Sequence, residues 1–304
     1  MKKLYHFPPM AVLALFVSIF VILMQACIFV NSTLLDPKIY NEAMNAKNVT
    51  DSIYNELCTY FKSLSNATGI PVEVYTDPLD KEELYTASYK LLQESLNYLT
   101  DETAPKPSVN YDFSKIEKSI TDYVNKHAEE HGIEKDKEYD KLLNNTIKTA
   151  KTQIESRFDV MMLYQFSGTS AAESVHKYSK LIGIGVFVFA GIALLLLVGM
   201  AIVDRRHPRD YPYWLGLILT VSSGFYLIPT IYLKATNYFD AFFIRNEYIY
   251  KTVTGMFEIS LNRIFKLQLI LLIVGIVLII STQVIHFVYL HHLKKEYHKT
   301  HGND

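Results

Sequence analysis

His127 and His131 stand four residues apart with Glu130 between them, in the run His127-Ala128-Glu129-Glu130-His131. Side chains at i and i+4 leave a helix from one face. Two imidazoles placed that way can share a zinc ion, with the Glu130 carboxylate at the same site as general base to a metal-bound water. Metal-dependent hydrolysis is the chemistry this spacing allows. The next residue is Gly132, a helix stop, so the run occupies a last helical turn. There the helix dipole favours protonated imidazole, which competes with a metal.

A second set of polar residues lies inside long apolar runs. Thr220, Ser223 and Thr230, with Gly216, fall on one side of one run at 100° per residue. Gln268, Thr282 and His286, with Gly275, do so in another. Such stripes either join helices closely or line a path for a solute or lipid. The four apolar runs contain no Asp, Glu, Lys or Arg. A proton- or ion-coupled pump usually needs an ionisable residue at mid-membrane, and His286 lies near the cytoplasmic end of its run, so the sequence disfavours that class.

The order His127-x-x-Glu130-His131 resembles the H-x-x-E-H pattern of inverted zinc peptidases. The resemblance covers five residues, three of them fixed. That family implies a large α/β fold and a distant glutamate ligand, and the rest of the chain departs from both. No Gly-rich phosphate loop and no nucleophile elbow occurs.

The elements that must carry these residues follow from hydropathy. The apolar runs are 10–30, 181–203, 214–233 and 267–290. About 20 helical residues cross the hydrocarbon core of a bilayer. The chain therefore reads as an all-α membrane protein: four transmembrane helices with a helical-bundle extracytoplasmic domain between the first and second. The segments are 1–9 cytoplasmic, 10–30 first span, 31–179 extracytoplasmic domain and 180–203 second span. Then come 204–213 cytoplasmic loop, 214–233 third span, 234–266 extracytoplasmic aromatic-rich loop, 267–290 fourth span and 291–304 cytoplasmic tail. Residues 31–178 carry 24 Asp/Glu and 16 Lys/Arg, net −8, against −1 for the whole chain. Lys2, Lys3, Arg205, Arg206, Arg209, Lys294, Lys295 and Lys299 flank the spans on the other side. The positive-inside rule puts both termini in the cytoplasm. The first run is long for a signal peptide and no small-x-small site follows it, so it reads as an uncleaved anchor.

The extracytoplasmic domain reads as about four helices. The first covers about 38–66 with Ile53, Leu57, Tyr60 and Leu64 spaced for one face, and Gly69 ends it. An extended stretch is expected at 70–75. Asp80 and Glu83 open a second helix that buries Leu84, Leu91, Leu92 and Leu99. Ser114 and Glu117 open a third, closed by Gly132, and the fourth runs from about 134 to 166. Cys58 is the only cysteine in the domain, so no internal disulfide can staple it. The 234–266 loop, rich in Tyr and Phe, is expected to extend the third and fourth helices outward and brace the domain.

The function expected from this is non-enzymatic: a cell-membrane sensor, accessory or scaffold subunit whose ectodomain binds a partner or ligand. Its partners would be membrane lipid and another membrane or envelope protein, with no nucleic acid. The topology is similar to that of bacterial permease-like subunits paired with an ATPase, but the 204–213 loop is too short for their coupling helix. The alternatives are a passive channel or solute/lipid carrier using the polar stripes, and a zinc-dependent membrane enzyme using His127, Glu130 and His131. The cytoplasmic segments are too short for any catalytic domain. The basic, histidine-containing tail suits contact with anionic lipid.

Overall fold

A computed structural model describes residues 7–205 and 209–301. Among these the chain is all-helical, without a strand. It divides into two compact units, one of residues 1–34, 181–239 and 260–304, the other of 35–180 and 240–259.

The first unit holds α1 (Phe7–Phe29), most of α10 (Ser179–Val203), α11 (Tyr211–Ala235) and the later part of α12 (Glu247–His301). Among the described residues four segments are long and apolar enough to cross a membrane: Pro9–Leu34, Gly183–Val203, Tyr211–Ala235 and Glu247–His291. Met10, Ala14, Val17, Met200, Trp214 and Ile218 form its buried cluster. Leu195, Phe187, Ile228 and Phe287 are among the large apolar side chains left exposed. An apolar exterior is what lipid-embedded helices need, because hydrocarbon gives no hydrophobic drive to bury those side chains.

The second unit holds α2 (Pro37–Ala46), α3 (Val49–Thr68), α4 (Val72–Thr76), α5 (Lys81–Thr100), α6 (Ser114–His131), α7 (Lys137–Phe158), α8 (Leu163–Ser167) and α9 (Ser170–Lys177). Their inner faces meet in a core that includes Ile39, Met44, Ile53, Leu57, Phe61, Tyr75, Leu84, Leu91, Ile120, Ile154 and Phe158. Local signals set the helix ends. Asp80 accepts from the backbone N–H groups of Glu82 and Glu83, and Asp136 from those of Glu138 and Tyr139. Gly69 (φ 74°) and Gly132 (φ 64°) close α3 and α6 in the left-handed conformation that glycine adopts without strain.

The segment 240–259 belongs to this same core. Tyr248, Thr252, Thr254 and Met256 are buried. Gly255 lies against α2, where an added Cβ would stand 3.2 Å from the Ala43 Cβ and 3.0 Å from the Lys47 Cγ. Lys47 pairs with Glu258 at 2.8 Å. The Glu247 backbone N–H donates to Glu56 Oε1 at 3.0 Å, and Lys251 Nζ to Ser52 Oγ at 2.8 Å.

Several boundaries differ from those read off the sequence. The helix expected over 38–66 is two helices, broken at Lys47 and Asn48, with Asn48 at φ 50°. The stretch expected to be extended at 70–75 is the helical turn α4. It stacks Tyr75 on Phe61 with ring centroids 5.0 Å apart, and that burial outweighs the β preference of Ile70, Val72 and Val74. Ser114 is the first residue of α6 rather than its cap, and its N–H is taken by Asp112. The helix expected over 134–166 stops at Phe158. Asp159 then accepts from the N–H groups of Tyr164 and Gln165 and starts α8. Thr169 caps α9, its side chain accepting from the Ala172 N–H. Within 234–266, α11 ends at Ala235 and α12 begins at Glu247, with a 3-10 turn at Tyr238–Ala241 between them.

Candidate functional site

The structure carries His127, Glu130 and His131 on the last turn of α6, all exposed. The rings of His127 and His131 lie 4.1 Å apart, the adjacency that i, i+4 spacing dictates. His131 Nδ1 is 2.9 Å from the His127 carbonyl oxygen, which leaves Nε2 as its outward nitrogen. Glu130 is 3.9 Å from Lys126, and the neighbouring Glu129 pairs with Lys135 at 3.0 Å. Two imidazoles on an open helix end supply half of a tetrahedral zinc shell. Among the described residues no group of three or more His, Cys, Asp or Glu is arranged to hold a metal. The cluster formed with His291 by His292, His298 and His301 has side chains outside the described set.

The polar stripes meet each other. Thr220, Ser223 and Thr230 lie on α11 and Gln268, Thr282 and His286 on α12. Ser223, Thr230, Gln268 and Thr282 are buried, whereas His286 is exposed. The crossing is as tight as backbones allow. A Cβ on Gly216 would fall 2.7 Å from the Gly275 carbonyl oxygen, and one on Gly275 would fall 2.6 Å from Thr220 Oγ1. Most hydroxyls turn back onto their own helix: Ser223 to the Thr220 carbonyl, Thr230 to Tyr226, Thr282 to Leu278. Gln268 Nε2 donates to Gln25 Oε1 of α1 at 3.3 Å, and the Tyr226 hydroxyl to the Ile22 carbonyl at 2.7 Å. The stripe is thus a packing seam between α11 and α12, tied to α1 by two polar contacts.

Two features of the helical domain carry more chemistry than the sequence reading assigned to them. The first is a recess of about 270 Å³ between α2, α3 and α5, lined by Met44, Asn45, Asn48, Asp51, Lys81 and Tyr85. Asn45 Nδ2 donates to Asn41 Oδ1 at 3.0 Å and to the Tyr85 hydroxyl at 3.1 Å, and that hydroxyl donates to Asn41. Lys81 pairs with Asp51 at 2.7 Å and stands 5.0 Å from the Tyr54 ring. Amide, hydroxyl, carboxylate and ammonium groups around an open recess can hold a polar ligand by hydrogen bonds. They include no activated nucleophile.

The second feature surrounds the start of α12. Arg157 Nε is 3.5 Å from Glu56 Oε2, with both side chains largely covered. Asn246 Nδ2 reaches the Tyr248 hydroxyl at 3.3 Å, and Glu247 pairs with Lys251 at 2.7 Å. Burial pushes the Tyr248 hydroxyl above its ordinary pKa, and the Arg157 charge pulls it partly back. Burial likewise raises the Asp159 carboxyl, against the opposing pull of the N–H groups of Gln165, Tyr164 and Leu163. The Lys251 ammonium, by hydrogen bond and by charge, holds Glu247 below its usual value. The cluster pins 240–259 to α3 and α7, which makes it a structural joint. Its members are scattered between positions 52 and 251, so no local spacing marks it.

Comparison with models of protein families, with curated proteins and with solved structures gives no match.

Proposed function

We propose that this chain is a non-enzymatic four-pass membrane protein that faces its helical domain outward and binds an envelope component or a membrane partner there. In this role it is a sensor, accessory or scaffold subunit. The observation that carries the reading is the double membership of α12. Its first part, through Ile259, is built into the helical domain, and the same unbroken helix continues through the fourth apolar span. At 1.5 Å per residue its 55 residues rise about 80 Å, well over the roughly 30 Å of hydrocarbon.

Topology supports the reading in a second way. Two candidate spans, Gly183–Val203 and Tyr211–Ala235, separate residues 35–180 from 240–259. Two crossings return the chain to the side it left, which is what one folded domain built from both segments requires. The basic flanks argue that this side is the outside. A ligand that binds one arrangement of the domain better than another biases whatever α12 shares with it, by its difference in affinity for the two. The recess beside Asn45 and Tyr85 is the proposed contact point, because its hydrogen-bonding groups are open while the domain core is closed and apolar.

The test is purification of the intact protein from its native membrane in mild detergent, with mass spectrometry of what accompanies it. The expected result is a reproducible membrane or envelope component whose recovery drops with Asn45→Arg, a change at an exposed position. Recovery of the chain alone, or of a component indifferent to Asn45→Arg, would count against the proposal.

A further inference from the structure

The first unit contains a groove that the polar seam does not use. It lies between α10 and α11, encloses about 580 Å³, and has walls of Leu194, Val198, Ala201 and Ile202 on one side and Leu215 on the other. Leu194, Val198 and Ile202 are more than half exposed, so they face outward from the helix bundle. The groove ends at Arg205 and Tyr211, beside the connection between the two spans. The Tyr211 hydroxyl donates to the Leu197 carbonyl at 3.0 Å, which closes the floor. A second guanidinium, Arg209, belongs to the same connection and stacks 4.5 Å from the Tyr289 ring.

We propose that this groove is a binding site for one anionic phospholipid, its phosphate on Arg205 and an acyl chain along the α10 wall. From Leu194 to the end of α10 at Val203, two residues before Arg205, the helix rises about 14 Å, close to half of a roughly 30 Å hydrocarbon core and hence the depth of one leaflet. The apolar wall leading from Arg205 suits an acyl chain and gives a soluble phosphate compound nothing further to hold, and the exposed guanidinium at its end favours a negative headgroup over a zwitterionic one. The planar fork of arginine matches two phosphate oxygens, and basic pockets between spans on the side rich in Lys and Arg suit anionic headgroups. The inference rests on the membrane placement proposed above and extends it from general solvation by lipid to a selective site.

Native mass spectrometry of the full-length protein in mild detergent, with phosphatidylglycerol or phosphatidylcholine of equal chain length added, reads the site directly. Phosphatidylglycerol should be retained about five-fold better, the ratio that one basic side chain at an anionic surface supplies. Arg205→Gln should bring it down to the phosphatidylcholine level, while Arg205→Lys keeps the preference. Ala201→Phe, which fills the groove, should lower retention of both lipids. Equal retention of the two lipids by the unmodified protein would overturn the proposal, as would an undiminished preference in Arg205→Gln. Competition by soluble glycerol phosphate would overturn it too, because the acyl chain would then be irrelevant. Failure of the membrane placement is a separate result: the chain would then stay soluble without detergent.

Discussion

Replacing Tyr248 by alanine probes how the first turns of α12 are held in the core of the helical domain. Tyr248 is 2% exposed, one of the largest fully buried side chains in the protein, and sits one residue into α12. Truncating a fully buried aromatic side chain to alanine costs about 3–5 kcal/mol through lost transfer energy and the cavity left behind. Its hydroxyl adds little, since its one contact with Asn246 is a long 3.3 Å. In a domain of this size each kcal/mol moves the melting temperature by about 2–4 °C, so Tyr248→Ala should lower it by roughly 10 °C. Thermal melts of the detergent-solubilised full-length protein give the number. Tyr248→Phe keeps the ring and should stay within about 1 kcal/mol of the original. Phe243, in the same segment but 99% exposed, is the matched control, and Phe243→Ala should shift stability by less than about 0.5 kcal/mol. If Tyr248→Ala melted alongside Phe243→Ala, the segment 240–259 would not be part of the domain core and the reasoning would fail.

Three further outcomes follow from the geometry. Gly216→Leu forces a side chain into space already taken by the Gly275 carbonyl, Ile279 and Leu278, and should destabilise the spans by about 1–3 kcal/mol. Gly199→Leu enters open space, so equal melting of the two variants would refute the seam. Burial raises Tyr40 and Tyr111 to about 12 from an ordinary value of 10.0. Their folded pKa lies above the unfolded one, so the stability they contribute is complete below pH 10 and is lost as pH climbs through 12. For Tyr40 alone the loss is up to about 2.7 kcal/mol. Tyrosinate absorbance with chemical denaturation measures it, and an unchanged alkaline slope in Tyr40→Phe would contradict the assignment. Finally, elemental analysis of the purified protein should find no stoichiometric zinc, and His127→Ala with His131→Ala should leave the metal content unaltered. One zinc per chain, lost in that variant, would establish the metal site.

How far the sequence reached depended on how local each signal was. The four apolar stretches were legible because length and hydropathy are properties of one continuous segment. Gly69, Gly132 and Asp80 were legible because a cap lies beside the helix it ends. The core face of α5 was visible as Leu84, Leu91, Leu92 and Leu99 at helical spacing, and all four are buried. The break at Asn48 was missed because an asparagine in the left-handed conformation leaves the apolar pattern of Ile53 and Leu57 intact. The end of α7 was missed because Asp159 reads as an ordinary polar residue until its fold neighbours bury it. The seam residues were found by face, but not that Gly216 and Gly275 bring two backbones together. The recess at Asn45 and Tyr85 joins residues 40 apart, and the Glu56–Arg157 pair joins two others a hundred apart. Contacts of that kind leave no trace in residue spacing.

The most direct test is side-specific labelling of intact cells with a membrane-impermeant maleimide. Cys27→Ala and Cys58→Ala provide the background, and single cysteines are added as Asn144→Cys, Phe243→Cys and Arg209→Cys. The account predicts that the changes at 144 and 243 both react from outside while that at 209 reacts only after the membrane is opened. Labelling of 144 and 243 from opposite sides, or of 209 from outside, would contradict it.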